Sequence, residues 1–506
     1  MFDNPNEATR KVLYKGLSNT ESELSTQLRL PTAYKSIYVE ANYRGTVIAS
    51  GQYNTGGPII PVELAIGSGK NSSIQSACTV TKSHGIGYTT TVNSVNFTGS
   101  KYQIEVLVEH DGCPGPTCKE LSHYSIEADQ GTYSNVAASV VSGTFSYGNI
   151  DLGPNLGGEP FDGFKVDGTS GIGDGMAGVF KVTYELTSLQ SQRFRVKAGG
   201  NKLDVTFSVL DFQTVLNCDP DSDNDGVSDS QDDYPNDATR AFDNYYPNNL
   251  NRGTHMFEDL WPAQGDFDFN DLVLRYRYNM VTNASNEAVE LVADYQVVAL
   301  GAGYNNSFGV ALPVLPNQVA SVTGSELTGS FLNMAANGLE QGHSSEAVII
   351  PFENLTNYAG GSHFVNVGSQ GTSISFDTIQ VVVSFTAPIA GISIGDAPFN
   401  PFIIVDQNRS REVHMINYEP TALSGTSDFG TVDDASIPGS GVYYTTANNY
   451  PWAIDIPDAT LHLVEKSDIV TGHLDFAAWA QSGGLVNQGW YLSGANRNNS
   501  NLIVNP

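Results

Sequence analysis

The chain of 506 residues carries 54 Asp and Glu against 24 Lys and Arg, a formal net charge of −30, which excludes nucleic acid and anionic membrane surfaces as partners. Charged residues make up only 15% of the chain and glycines number 51. With Tyr, Phe, Val and Ile in short alternating runs, this excludes a helical bundle and predicts a mainly β protein of several antiparallel β-sandwich domains.

No run approaches the ~20 apolar residues of a membrane-spanning helix. Residues 1–30 are polar and lack a signal peptide's apolar core. Such an arm is able to add as a strand to a neighbour's sheet edge. Strand patterning begins at 36–43, where Ile37, Val39 and Ala41 share a face, and continues at 46–50 and 61–66. Residues 1–72 therefore read as an arm and a small β unit.

Residues 73–216 read as a β-sandwich domain, with strands at 89–97, 102–109, 123–127, 137–145, 178–186 and 203–210 separated by turn residues. The four cysteines, Cys78, Cys113, Cys118 and Cys218, allow two disulfides in three connectivities. Cys113 and Cys118 flank Pro-Gly-Pro-Thr, a turn that lets them face each other. Their spacing does not suit zinc, and no Cys/His cluster accompanies them.

Asp111, Ser122 and His123 are the residues from which a catalytic triad would be assembled. But Ser122 and His123 are adjacent, so on a strand they point to opposite faces. No Gly-x-Ser-x-Gly elbow occurs; Gly342-His-Ser-Ser-Glu fails at its last position. No catalytic residue is assigned, and the chain does not read as an enzyme. The run from Cys118 to Glu127, with the later Phe164-Lys-Val-Asp-Gly, resembles a β module of bacterial surface proteins.

Residues 217–240 form an acidic linker. Set against a twelve-position calcium loop, Asp221, Asp223 and Asp225 fall at positions 1, 3 and 5 and Gly226 at the sharp turn at 6. Val227 offers its carbonyl at 7, Asp229 falls at 9 and Asp232 at 12. Asp219 and Asp233 are left over for a second ion. This oxygen-only set predicts Ca2+, the alternative being a solvated linker. Position 12 is Asp rather than Glu, 205–210 reads as strand and 234–237 as turn, so the loop is not an EF-hand. It resembles a single thrombospondin type 3 repeat, as used in linkers of bacterial surface proteins.

Residues 241–506 form the last domain. In 265–278, Asp266, Asp268 and Asn270 share one strand face, but Leu272, Leu274, Tyr276 and Tyr278 then take the same parity. A strict strand would mix carboxylates and leucines on one face, so a tight loop through 266–270 precedes a strand from Asp271. Glu258, Asp259, Asp266, Asp268, Asn270 and Asp271 are a second candidate metal set; otherwise they cap turns.

The stretch from Phe257 to Val273, with Asn400-Pro-Phe-Ile-Ile, Arg411-Glu-Val-His-Met, Tyr450-Pro-Trp-Ala-Ile-Asp-Ile-Pro and Trp490-Tyr, resembles the LruC domain of bacterial surface and outer-membrane proteins. That resemblance implies a cell-surface location and no catalytic role. Further strands are predicted at 289–300, 307–312, 344–351, 373–387 and 401–406. One helix is predicted, capped by Ser467 or Asp468, with Ile469, His473, Phe476, Ala477 and Ala480 on one face and Gly483-Gly484 at its end. Trp452, Trp479 and Trp490 read as core aromatics rather than a glycan platform.

The expected function is that of an extracellular or cell-surface bacterial protein, structural or adhesive, with calcium stiffening the linker and orienting the domains on either side. Its expected partners are a protein or glycan on a cell surface, or copies of itself in a filament or assembly. A carbohydrate-binding module is the alternative.

Overall fold

The computed structural model describes residues 36–43, 46–54, 78–113, 119–143, 146–154, 156, 159–170, 172–173, 175–329, 331–368, 371–492 and 496–503. Antiparallel sheets dominate, with few and short helices. Two compact units are present, one of residues 71–230 and one of 1–70 with 231–506. The acidic run is therefore divided: 219–230 belongs to the first unit and 231–240 to the second. The arm at 1–30 and the strand expected at 61–66 lie outside the described residues.

β1 (Ser36–Tyr43) and β2 (Thr46–Asn54) pair as a hairpin. Unit 71–230 is a sandwich. Its strands are β3 (Val80–Gly85), β4 (Tyr88–Phe97), β5 (Tyr102–Asp111), β6 (Leu121–Glu127), β7 (Tyr133–Ser142), β8 (Ser146–Gly153), β9 (Gly163–Ser170), β10 (Ala177–Leu186), β11 (Gln192–Ala198) and β12 (Asn201–Phe207). They form two five-stranded sheets, β3-β4-β5-β10-β7 and β12-β11-β6-β9-β8. One apolar core draws on both, including Val106, Phe180 and Val182 from the first and Tyr124, Phe164 and Phe194 from the second. Strict alternation along β10 aims one face inward and leaves the other in solvent.

His123 is not free for catalysis. Its Nε2 lies 2.5 Å from Glu159 Oε1, and Glu159 Oε2 accepts from Arg195 at 2.5 Å. The strand expected at 203–210 is corrected to Asn201–Phe207. The strand stops at Phe207, and α1 (Val209–Leu216) follows. Ser208 caps it: its hydroxyl accepts from the Asp211 amide at 3.2 Å, while Asp211 Oδ2 accepts from the Ser208 amide at 2.6 Å. This capping box outweighs the strand pattern, and Phe212 and Val215 are buried at helical spacing. The upstream flank of the acidic loop is thus helical, contrary to expectation. A disulfide joins Cys78 to Cys218, 140 residues apart. The Cys113–Cys118 pairing involves Cys118, which lies outside the described residues.

In the second unit, the strands are β13 (Phe242–Tyr246), β14 (Gly253–Phe257), β15 (Leu272–Thr282), β16 (Glu287–Ala299), β17 (Ser307–Leu312), β18 (Val319–Thr323), β19 (Ala347–Phe352), β20 (Ile379–Ala390), β21 (Asn400–Ile404), β22 (Glu412–His414) and β23 (Ala453–Ile456). A short helix, α2 (Leu355–Tyr358), follows β19. One sheet runs β18-β20-β16-β15-β14-β23, with β13 also on β15; the other runs β19-β17-β21-β22. A single core holds Leu274, Tyr276 and Tyr295 of the first sheet with Phe308, Ile349 and Ile403 of the second. A further apolar layer joins Met256, Val273 and Ile454 to Leu463, Ile469, Phe476 and Trp490 of the C-terminal segment. β14 is therefore buried at every residue.

The single expected C-terminal helix is two: α3 (Ile469–Gly472), capped by Asp468, and α4 (Phe476–Gln481). The break falls at His473, whose backbone turns extended and pairs with Arg497 while its ring bonds the Leu461 carbonyl at 3.0 Å. Here a tertiary contact overrides helical periodicity. Gly483 and Gly484 end α4 at φ +64° and +83°. Trp452 and Trp490 are buried and Trp479 packs on Trp490, so these rings serve the core.

Two histidines of this layer make the fold acid-sensitive. Burial lowers His462 and His473 to about 4, with hydrogen bonds to the Asn366 and Leu461 carbonyls only partly opposing it. Both are neutral in the fold, whereas the unfolded chain takes up their protons below the ordinary value of 6.5. Stability should therefore fall as pH drops from 6.5 towards 4, by up to about 1.4 kcal/mol per pH unit per histidine. Urea denaturation at graded pH should show a shallower acid loss for the double variant His462→Asn, His473→Asn. Equal slopes would contradict the assignment.

Candidate cation sites

The loop after α1 gathers three of its seven expected side-chain ligands. Carboxylate oxygens of Asp221, Asp223 and Asp225 lie within 4.8 Å of one another. The backbone allows this because Asn224 (φ +63°) and Gly226 (φ +101°) reverse the chain between them. The Gly226 amide donates to Asp221 Oδ2 at 3.1 Å and the Val227 amide to Asp225 Oδ1 at 2.8 Å. Asp221 Oδ1, Asp223 Oδ2 and Asp225 Oδ2 are buried and have no hydrogen-bond partner. Burial, then the charges of Asp223 and Asp221, push the Asp225 carboxyl above its ordinary range.

The other four expected carboxylates accept hydrogen bonds from neighbouring residues. Both Asp229 oxygens accept from Ser222, from its amide at 2.8 Å and its hydroxyl at 2.7 Å. Asp219 accepts from the Ser230 hydroxyl at 2.5 Å. Val227 contributes a buried side chain. Asp232 and Asp233 belong to the second unit, where they accept from the Tyr234 amide at 2.6 Å and the Asp243 amide at 3.0 Å.

The second set is more deeply buried. Phe267 and Phe269 adopt φ of +54° and +53°, which is the physical origin of the parity change: two left-handed residues turn the chain before β15. Their rings anchor the loop in the C-terminal layer, Phe267 at 6.2 Å from Trp452 and Phe269 at 5.8 Å from Phe476. Carboxylate oxygens of Glu258, Asp266 and Asp268 then lie within 4.8 Å of one another, with Asp266 exposed and the other two buried.

Glu258 Oε1 accepts from the Phe269 amide at 2.5 Å, and Asp268 accepts from the amides of Asn270 at 3.1 Å and Lys466 at 2.6 Å. Glu258 Oε2 and Asn270 Oδ1 are buried without a partner. Asp259 and Asp271 sit to one side as a coupled pair, the Asp259 amide donating to Asp271 and the Asn306 amide group to Asp259, both at 2.7 Å.

In this set burial and like charges outweigh the nearby Arg411, which lowers Asp259, and Lys466, which lowers Glu465. Burial and then the Asp271 and Asp268 charges raise Glu258 well above the carboxylate range. Burial and Asp266 push Asp268 up to about 8. Asp271 is raised by burial and Asp259, and Asp259 by burial despite Asn306. Glu465, 194 residues beyond Asp271 (465 − 271), joins them: burial and the Asp266 charge raise it, and its Oε2 lacks a partner. No local spacing pointed to it; only the folding of the C-terminal segment brings it in. A third cluster, His110, Asp111 and Cys113, offers no thiolate because Cys113 is disulfide-bonded.

Residues 286–491 match the model of a domain of unknown function, DUF4842. The match begins after the 258–271 loop and includes Glu465. No curated protein matches the chain. Among solved structures it is similar to a protein of Bacteroides ovatus provisionally named a lipoprotein, at 18% identity and a TM-score of 0.41, over 76% of this chain and 99% of that one. It is also similar to a conserved domain protein of Bacillus anthracis, at 9% identity and a TM-score of 0.12, over 64% of this chain and 74% of that one.

Proposed function

We propose that the chain is a structural or adhesive protein of the bacterial exterior whose 71–230 unit is stabilised by calcium. The observation that carries this reading is the convergence of Asp221, Asp223 and Asp225, each with one buried oxygen lacking a protein partner. Three like charges so close repel unless a cation sits among them. A donor set of carboxylate oxygens with no nitrogen or sulfur suits a hard cation, and flexible side chains suit Ca2+ over Mg2+. The loop of Asp221, Asp223 and Asp225 would then act as a thrombospondin type 3-like repeat, and 241–506 as an LruC-like domain. The Cys78–Cys218 disulfide supports an oxidising, extracytoplasmic setting. Its partners are a surface protein or glycan, or further copies of itself.

Calcium at a hundredfold its dissociation constant stabilises a folded unit by about 2.7 kcal/mol. For a unit of 160 residues (230 − 71 + 1), that is roughly a 5–10 °C rise in Tm. Calorimetry with calcium and with chelator should show this shift, together with protection of 217–240 from proteases. Asp223→Asn should shrink both effects. Equal Tm values and identical cleavage patterns would sink the calcium reading.

A further inference from the structure

The second unit carries an acidic loop of its own, and the question is whether the loop closes on an ion. Several buried carboxylates in one place do not by themselves make a site. Here one further feature points to a ligand. Glu258 is only 1% exposed. Oε1 is taken by the Phe269 amide, while Oε2 has no protein partner. Oε2 is aimed at the start of the loop: a Cβ on Gly265 would come within 2.9 Å of it. In the same loop Asn270, fully buried, has a neutral amide oxygen without a partner. A carboxylate oxygen so deep, with neither donor nor cation, is strongly unfavourable. A bound cation removes that cost.

We propose that Glu258, Asp266 and Asp268 form a second divalent-cation site, and that the ion locks the C-terminal segment onto the β14–β15 connection. The donors are all hard oxygens, so the ion is of the calcium class. Asp266, being exposed, leaves the site a side open to solvent for entry and for water ligands. The lock follows from what the loop holds. Asp268 Oδ2 accepts from the Lys466 amide at 2.6 Å, the Phe267 carbonyl from the Ile469 amide at 2.8 Å, and Asn270 Nδ2 donates to the Leu463 carbonyl at 3.3 Å. Three of the four residues 267–270 thus hold 463–469, the stretch that leads into α3. An ion that fixes the carboxylates fixes this segment through them. The site shares no residue with the 219–230 loop and does not depend on it.

Terbium emission excited through tryptophan tests this, because all four tryptophans, Trp261, Trp452, Trp479 and Trp490, lie in this unit. The full chain should give sensitised emission that calcium displaces. Asp221→Asn with Asp223→Asn should leave that emission in place, which separates this site from the first. Glu258→Gln, and independently the exposed Asp266→Asn, should weaken terbium binding by ~10-fold or more, since ligand charge sets affinity; near-ultraviolet circular dichroism confirms that each variant is folded. Calcium should also slow tryptic cleavage after Lys466 several-fold in the parent and not in Asp266→Asn. No sensitised emission, or emission unchanged in both Glu258→Gln and Asp266→Asn, overturns the site. Terbium binding with unaltered cleavage at Lys466 overturns the lock.

Discussion

Replacing Glu412 with Gln should destabilise the second unit by about 3–5 kcal/mol, the cost of breaking a buried ion pair from one side. Glu412 on β22 is fully buried. His414 Nε2 meets its Oε2 at 2.9 Å, Arg409 pairs with Oε1, and the Thr421 amide and hydroxyl donate at 2.9 and 2.6 Å. The far nitrogen of His414 faces Asn400 Oδ1 at 2.6 Å, and Asn400 Nδ2 is committed to the Glu419 carbonyl at 2.8 Å. Arg409 also holds Glu340 at 2.5 and 2.8 Å, and His343 meets Glu340 at 3.0 Å. Gln keeps the shape but removes the charge that the Arg409 guanidinium pairs with.

Urea denaturation should show a lower midpoint with an unchanged slope. The pH course supplies a second check. Burial opposes the charge of Glu412, but His414 and Arg409 bring it down to about 2, against an ordinary value of 4.5. A depressed carboxyl stabilises above its unfolded value and loses that contribution as pH falls through the folded one. Parent and variant should therefore converge between pH 4.5 and 2. A constant gap across that window would mean that Glu412 acts by packing alone. Glu346→Gln, whose carboxylate meets His343 at 3.7 Å, should cost under ~1 kcal/mol.

Much of this β architecture was legible because its signal is local. Alternation along 102–109 and 178–186 reports one buried face, and the strands formed there run Tyr102–Asp111 and Ala177–Leu186. The parity change at Asp271 was readable for the same reason: a period-2 pattern cannot absorb two left-handed residues silently. What failed was non-local or depended on a single cap. Ser208 and Asp211 convert the end of an alternating run into α1, and one ring bond from His473 splits a helix whose periodicity was sound.

The candidate sites divide along the same line. Asp221, Asp223 and Asp225 meet because a short loop with Gly226 brings them together, which spacing alone reveals. Asp229 could not be placed by spacing, since Ser222 competes for it within the same loop. Glu465 and Asn306 reach the second set only through the folding of distant segments. The Glu340–Arg409–Glu412–His414 cluster was not legible as a unit: Arg409, Glu412 and His414 lie close in sequence, but Glu340 joins them from 69 residues upstream of Arg409.

Removing the Cys78–Cys218 bond should cost the 71–230 unit about 2–5 kcal/mol. The bridge spans 140 residues of chain, from two residues before β3 to two residues after α1. It therefore closes nearly the whole sandwich into one loop. In the chain-entropy account, a loop of this length restricts the unfolded ensemble by about 5 kcal/mol, with typical measured values nearer 2–4. The bond also acts locally. Cys218 lies one residue before Asp219, so its tether holds the end of α1 at the entry of the acidic loop. Loss of the bridge should thus lower calcium affinity as well as stability, because part of the binding energy is then spent on ordering the loop.

Cys78→Ser with Cys218→Ser should lower the thermal transition of this unit, and calcium should recover only part of the loss. The transition of the 231–506 unit, which contains no cysteine, should stay where it is. Calorimetry of the parent, the double variant and Asp223→Asn, each with calcium and with chelator, separates the two effects. If the serine variant melts with the parent in chelator, the bridge contributes nothing beyond the packing of the sandwich. If it melts lower but binds calcium as tightly as the parent, the tether sets stability alone and leaves the loop unaffected.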